Sequence, residues 1–181
     1  MKSSKRISTK DLTLAGVLTA LVVVLQLLGG MIPKLGTAEI SLVLLPIVIG
    51  GAIFGEKMGA WLGLVFGVVV LMLPGTAWFM SFSVFGTVVI VLLKGIACGF
   101  CSGLVYKLLK NRNKYVATLV SSVVCPVVNT GIFVAGVFIF FSGTEVIKIV
   151  LTTTLLVNFS VELAINLVFN PLIIKIINLR K

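Results

Sequence analysis

Long apolar runs separated by short polar breaks dominate the sequence. The runs cover residues 12–31, 40–54, 58–73, 82–109, 115–141 and 150–174. Because an α-helix crosses the hydrocarbon core of a membrane with about 20 apolar residues, we predict an all-α bundle of six transmembrane helices forming one membrane domain over 1–181. The second and third runs reach only about 23 Å against a core of about 30 Å, so they form either thin spans or a re-entrant hairpin.

Composition and charge position support a membrane protein. Hydrophobic residues make up 59% of the chain and charged residues 11%, whereas soluble domains have about 25% charged residues. Most of the 15 Lys and Arg residues that give the net charge of +10 lie in the N-terminal tail, in 107–114 and at the C-terminus. Cytoplasmic segments hold such residues, so we predict a multi-pass protein with both termini inside, in contact with lipid and not with nucleic acid. The first run is longer than the apolar region of a signal peptide, and we interpret it as a retained span.

A polar stripe runs through the last span. Asn158, Glu162, Asn166 and Asn170 recur every four residues and therefore wind slowly around one side of a helix. Ionisable groups inside a membrane are costly and usually face the bundle interior or a wet cavity, which favours a binding site. The alternative is hydrogen bonding between helices.

Three polar residues on consecutive spans are predicted at comparable depth. Lys94, Asn129 and Glu162 each lie about 12 residues from the predicted outer end of their span. Pairing Lys94 with Glu162 would reduce the cost of holding two charges in a low dielectric. These residues are candidates for a substrate site, and a structural ion pair between helices is the alternative.

Aromatic residues concentrate in the break before the fourth span. Trp78, Phe79, Phe82 and Phe85 form either an interfacial belt or a lid that stacks on a flat ligand. We include Trp78 and Phe82 among the candidate substrate-binding residues, together with Asn158 and with Glu39 from an earlier polar break.

Small residues recur at helical spacing in two spans. Gly59, Gly63 and Gly67 form overlapping G-x-x-x-G steps, and Gly16 is followed four residues later by Ala20. This spacing lets helices approach closely in lipid. The glycines serve either packing within the chain or docking to another membrane protein.

The sequence has few of the motifs that are typical of enzyme active sites. The chain has no His, which removes His-dependent triads and His-bound metals, and it has no phosphate-binding P-loop. Cys98 and Cys101 match C-x-x-C, so a membrane thiol oxidoreductase is the alternative function, and a structural membrane partner is another. We predict no enzyme activity, no metal and no cofactor.

Four segments resemble one transporter family. They are 12–20 (LTLAGVLTA) after the basic N-terminus, 45–55 (LPIVIGGAIFG), 59–67 (GAWLGLVFG) and 92–99 (LLKGIACG). The whole chain resembles the substrate-binding S components of energy-coupling factor (ECF) transporters, which take vitamins into bacteria. The resemblance implies six helices with both ends cytoplasmic, in the bacterial cell membrane. It also implies capture of a small water-soluble vitamin, riboflavin- or pantothenate-like, from outside.

The same resemblance implies partners for the chain. They are a transmembrane coupling subunit and two ATPase subunits, which drive the uptake. The family often carries A-x-x-x-A on its first helix for contact with the coupling subunit, and Gly16-x-x-x-Ala20 is the corresponding segment here. Docking residues are therefore expected among Gly16, Ala20, Gly59, Gly63 and Gly67.

Overall fold

The computed structural model describes residues 9–31, 42–142, 146–149, 152 and 158–179. Within these ranges the secondary structure is helical, as predicted. The helices are α1 (Thr9–Met31), α2 (Leu44–Phe54), α3 (Glu56–Leu71), α4 (Pro74–Met80), α5 (Val84–Leu109), α6 (Lys114–Phe140), α7 (Val146–Ile149), α8 (Phe159–Val168) and α9 (Asn170–Leu179).

Three of these helices, α1, α5 and α6, are long and apolar enough to cross a membrane. Two bent pairs, α3 with α4 and α8 with α9, bring the number of candidate spans among the described residues to five. The apolar helix α2 has 11 residues, which is short for a full span. The chain is thus a multi-pass helical membrane protein, and the count of six spans and the inward termini remain predictions.

The aromatic break before α5 is itself helical. The chain bends by 79° after α3, and α4 begins at Pro74. Proline lacks a backbone N–H and has its φ preset for a helix, so it fits the first position of α4. The hydroxyl of Thr76 donates a 2.6 Å hydrogen bond to the carbonyl of Val70, which fastens the bend. Trp78 and Phe79 therefore lie on a short helix and not in an extended loop.

The last predicted span is broken in its described part. A bend of 48° separates α8 from α9 at Phe169, and α9 continues to Leu179, beyond the predicted end at residue 174. Pro171 explains the break, because it cannot donate to the carbonyl four residues earlier and its ring crowds that carbonyl. Residues 150, 151 and 153–157 of this predicted span lie outside the described residues.

Helix α5 lies at the centre of the bundle, and its most extensive contacts are with α3 and α6. The contact with α3 runs through Gly59 against Gly99, Gly63 against Gly95 and Gly67 against Val91. A Cβ atom added to Gly63 or to Gly95 would collide with the carbonyl of the other, so the two backbones touch directly. The glycine face of α3 is thus covered by α5. The packing alternative accounts for Gly59, Gly63 and Gly67, and we propose no docking role for them.

Between α5 and α6 the contact is polar as well as apolar. The hydroxyl of Ser102 donates to the carbonyl of Ser121 at 3.3 Å, and the hydroxyl of Ser121 donates back to the carbonyl of Ser102 at 3.0 Å. All of these atoms are buried, where unpaired polar groups would be costly. The reciprocal bonds fix the register of α5 on α6, and with it the relative heights of the side chains that project between them.

Candidate functional site

A buried amide and a buried carboxylate meet between α6 and α8. The side-chain amide of Asn129 donates to the carboxylate of Glu162 across 3.4 Å. Asn129 is 5% exposed and Glu162 6% exposed. The contact places Asn129 and Glu162 at the same height in the bundle, as their predicted depth requires.

Two residues of the polar stripe, Glu162 and Asn170, bind side chains of α6. Further along the stripe, Asn166 donates from its side-chain amide to the backbone carbonyl of Glu162 at 2.9 Å, and Asn170 donates to the hydroxyl of Ser122 at 3.0 Å. Interhelical hydrogen bonding therefore explains Asn170, whose partner is on the neighbouring helix. It does not account for the oxygen atoms of the other amides.

Three amide oxygens in this region are buried and have no hydrogen-bond partner among the described residues: those of Asn129, Asn158 and Asn166. In Asn129 and Asn166 the amide nitrogen is bound to an oxygen acceptor, which fixes the orientation of the group and identifies the other atom as the oxygen. Because buried polar atoms are normally paired, these three acceptors lack the donors that a buried position usually provides. A molecule carrying N–H or O–H groups would supply them.

Lys94 approaches the same region from α5. Its ammonium lies 4.7 Å from the ring centroid of Phe133 and 5.7 Å from that of Phe66, within the range of cation–π attraction. Phe133 is one helical turn from Asn129 on the same face of α6. Phe133 thus connects Lys94 on α5 with the face of α6 from which Asn129 reaches Glu162.

A chain of rings connects Lys94 with α4. Phe133 packs edge-on against Phe79 at a centroid distance of 5.6 Å, and Phe79 packs against Trp78 at 5.0 Å. Trp78 then contacts Phe82 at 5.2 Å. Trp78 and Phe82 are 43% and 47% exposed, so this aromatic cluster (Phe133, Phe79, Trp78, Phe82) runs from the buried polar groups to the surface at the α4 end of the bundle.

Two aromatic residues beside Lys94, Phe66 and Phe133, are not predicted from the sequence. Phe66 and Phe133 lie inside apolar helices, where a phenylalanine is unremarkable. Phe133 could have been predicted as a neighbour of Asn129, because it follows Asn129 by four residues and so shares its helix face. Phe66 is brought to Lys94 by the glycine contact between α3 and α5, and the sequence of α3 alone could not show that.

The remaining predictions concern Glu39, the Gly16 and Ala20 pair of α1, and Cys98. Glu39 falls in 32–41, outside the described residues. Gly16 has no other atom near the position of an added Cβ, and Gly16 and Ala20 are exposed on one face of α1. Cys98 is fully buried, and its thiol donates to the carbonyl of Gly95 at 3.1 Å. Burial therefore shields the Cys98 thiol from thiols and disulfides in solution.

A cation, a carboxylate, amide acceptors and aromatic rings are the groups through which proteins hold small polar molecules noncovalently. A search of curated proteins finds no match to the chain. A family model does match, namely the substrate-specific component of ECF transporters, and it covers residues 10–177. The match includes every helix that contributes to the site. The chain therefore belongs to the family of ECF transporter substrate-specific components.

Proposed function

We propose that this S component captures a small water-soluble vitamin from outside a bacterial cell, in the space between Lys94, Asn129 and Glu162. The observation that carries the proposal is the set of buried amide oxygens without partners beside Glu162, because an interior built only for packing would leave no such acceptors. Asn158 belongs to the same site through its own unpartnered oxygen. The α4 end is then the outer end, and the ligand enters past Trp78 and Phe82.

The chemistry of the site narrows the class of vitamin. Amide oxygens accept hydrogen bonds, so the ligand presents hydroxyl or N–H groups to Asn129 and Asn166. Lys94 attracts a carboxylate or another electron-rich group, and its ammonium already lies on an aromatic wall that suits an unsaturated ring. Riboflavin-like and pantothenate-like molecules both satisfy these conditions, the first mainly through its ring and the second through its carboxylate.

Delivery requires the other parts of an ECF transporter. Members of this family associate with a transmembrane coupling subunit and two ATPases. Helix α1 is joined to α3 by a 3.4 Å hydrogen bond from the indole of Trp61 to the hydroxyl of Thr19. Gly16 and Ala20 lie on the exposed side of α1, away from the buried Leu18 and Val22. We assign that face to the coupling subunit, since small residues there allow close contact between helices.

The decisive experiment is identification of the ligand. The protein is purified in mild detergent from bacterial membranes, denatured, and the released small molecules are identified by mass spectrometry. We expect one vitamin at near-equal molar amount. Binding of that vitamin is then measured for Asn129→Ala and for the matched control Asn178→Ala, an amide exposed on α9.

The two variants have different expected outcomes. Asn129→Ala weakens binding about fivefold or more, the effect of losing one hydrogen bond of about 1 kcal/mol, whereas Asn178→Ala binds like wild type. No bound small molecule under any growth condition would contradict vitamin capture. Equal affinities for the two variants would remove Asn129 from the site while leaving the function intact.

A further inference from the structure

At the end of the bundle opposite α4, a second cavity is lined by residues that the substrate site does not use. It has a volume of about 310 Å³ and lies where α2 ends, α3 begins and α5 ends. Its charged lining residues are Glu56, Lys57, Lys107 and Lys110. We propose that this cavity, the lysine cleft, binds a phosphate group, supplied by the headgroup of an anionic phospholipid or by a free phosphate anion.

The charge of the lysine cleft is unbalanced. Glu56 pairs with Lys107 at 2.8 Å, which uses the one carboxylate that lines the cleft. Lys57 and Lys110 form no ion pair with any described residue and are exposed. Two cations therefore remain at one opening, and a bound anion would lower their mutual repulsion.

The position of Lys57 adds to the positive potential. It lies in the first turn of α3, where the helix dipole disfavours a cation and favours an anion. The carboxylate of Glu56 offsets only one positive charge, that of Lys107. A phosphate group placed between Lys57 and Lys110 would complement both the side chains and the positive end of the helix dipole.

Tyr106 adds a neutral hydrogen-bond donor to the cleft. It lines the cleft, and its hydroxyl has no hydrogen-bond partner among the described residues. The hydroxyl is not one of the fully buried unpartnered atoms, so a ligand in the cleft can reach it. Its hydroxyl is a neutral donor beside the lysines, which is the combination that a phosphate oxygen accepts.

The backbones of α2, α3 and α5 pack closely together beneath the lysine cleft. An added Cβ on Gly103 would lie 2.8 Å from the Cα of Glu56 and 3.2 Å from that of Gly51. Gly55, with φ of 94°, turns the chain from α2 into α3 in a conformation that side chains disfavour. The lysines thus project from backbones in direct contact. Ile53 and Phe54 give the same cleft an apolar wall, which suits the glycerol and acyl parts of a lipid.

The test uses the full-length protein in nanodiscs of phosphatidylcholine, alone or with phosphatidylglycerol. The double variant Lys57→Gln/Lys110→Gln is compared with Lys10→Gln/Lys175→Gln, which removes the same charge from two exposed lysines outside the cleft. Phosphatidylglycerol retained after purification is measured by native mass spectrometry. We expect wild type and control to retain one molecule, and the cleft variant to retain about tenfold less.

Two further measurements complete the test. Tyr106→Phe removes only the hydroxyl and is expected to lower retention about threefold with an unchanged melting temperature in phosphatidylcholine. Stabilisation by inorganic phosphate is measured in phosphatidylcholine nanodiscs. Stabilisation that depends on Lys57 and Lys110, without retention of phosphatidylglycerol, supports the phosphate site and identifies a soluble anion as its occupant. Equal retention and equal phosphate response in the cleft and control variants would overturn the proposal.

Discussion

The side-chain amide of Asn129 donates to the carboxylate of Glu162 across 3.4 Å and thereby joins α6 to α8. Both residues are buried, and a buried carboxylate is stable only with partners. The bond leaves the oxygen of Asn129 as an acceptor beside Glu162. A ligand can therefore add to this pair without breaking it.

A comparison of Lys94→Met, Glu162→Gln and the double variant separates binding from structure. We expect each single variant to bind the vitamin at least about tenfold more weakly, while the melting temperature of the empty protein changes little. Glu162→Gln keeps an oxygen that accepts from Asn129, so the contact between helices survives. Affinity and melting temperature are measured separately for each protein.

A purely structural ion pair predicts the opposite result. Removal of one charge would then destabilise the protein more than removal of both, because the remaining charge is left uncompensated. Wild-type affinity in all three variants would favour a pocket nearer the surface, around Trp78 and Asn158.

Gly63→Ala is expected to lower the melting temperature strongly. The added Cβ would collide with the backbone carbonyl of Gly95, and overpacking of this kind costs about 1–3 kcal/mol. Gly16→Ala is the matched control, because nothing lies within 4 Å of its added Cβ and alanine favours a helix by up to about 1 kcal/mol. A Gly63→Ala protein as stable as wild type would show that α3 and α5 are not in backbone contact.

Gly16→Leu is expected to prevent assembly with the coupling subunit while vitamin binding is unchanged. The bulky side chain would separate the two helices at a contact that needs small residues. Gly131→Leu serves as the control, since Gly131 is equally open but lies on α6. Assembly is measured by co-purification of the complete transporter. Equal co-purification of both variants would locate the docking surface elsewhere.

Replacement of both Cys98 and Cys101 by Ala is expected to leave vitamin binding within about twofold of wild type. Cys98 is buried against the carbonyl of Gly95 and acts as a small packing residue. Uptake by the assembled transporter is the second readout. Loss of uptake with normal expression and normal binding would restore the thiol oxidoreductase hypothesis.

Reporter fusions at residue 181 and within 110–114 are both expected to report the cytoplasm. The basic residues around these positions set the orientation of the flanking spans. A fusion at Ser81, beside Trp78 on α4, should report the outside. An external signal at residue 181 would contradict the predicted topology.

The sequence predicted the helices well where a long apolar run had clear ends. The two longest runs, 82–109 and 115–141, correspond within two residues to α5 and α6. For 150–174 the prediction lacked the bend at Phe169 and ended before Leu179, because hydropathy does not register the bend that Pro171 imposes. Periodicity and depth predicted that Asn129 and Glu162 lie at comparable depth, and their side chains are in contact. Phe66 could not be identified in this way, since its place beside Lys94 depends on how closely two other helices approach.

The glycine contact between α3 and α5 and the reciprocal serine bonds between α5 and α6 have a mechanical consequence. The backbones of α3 and α5 touch and buried serine bonds join α5 to α6, so we expect these three helices to move together and to carry Lys94 and Asn129 with them. Glu162 lies on α8, which the bend at Phe169 separates from α9. A gating motion in which α8 pivots at Phe169 would draw the carboxylate of Glu162 away from Lys94 and Asn129. Release of the ligand would then begin with the loss of its contact to Glu162.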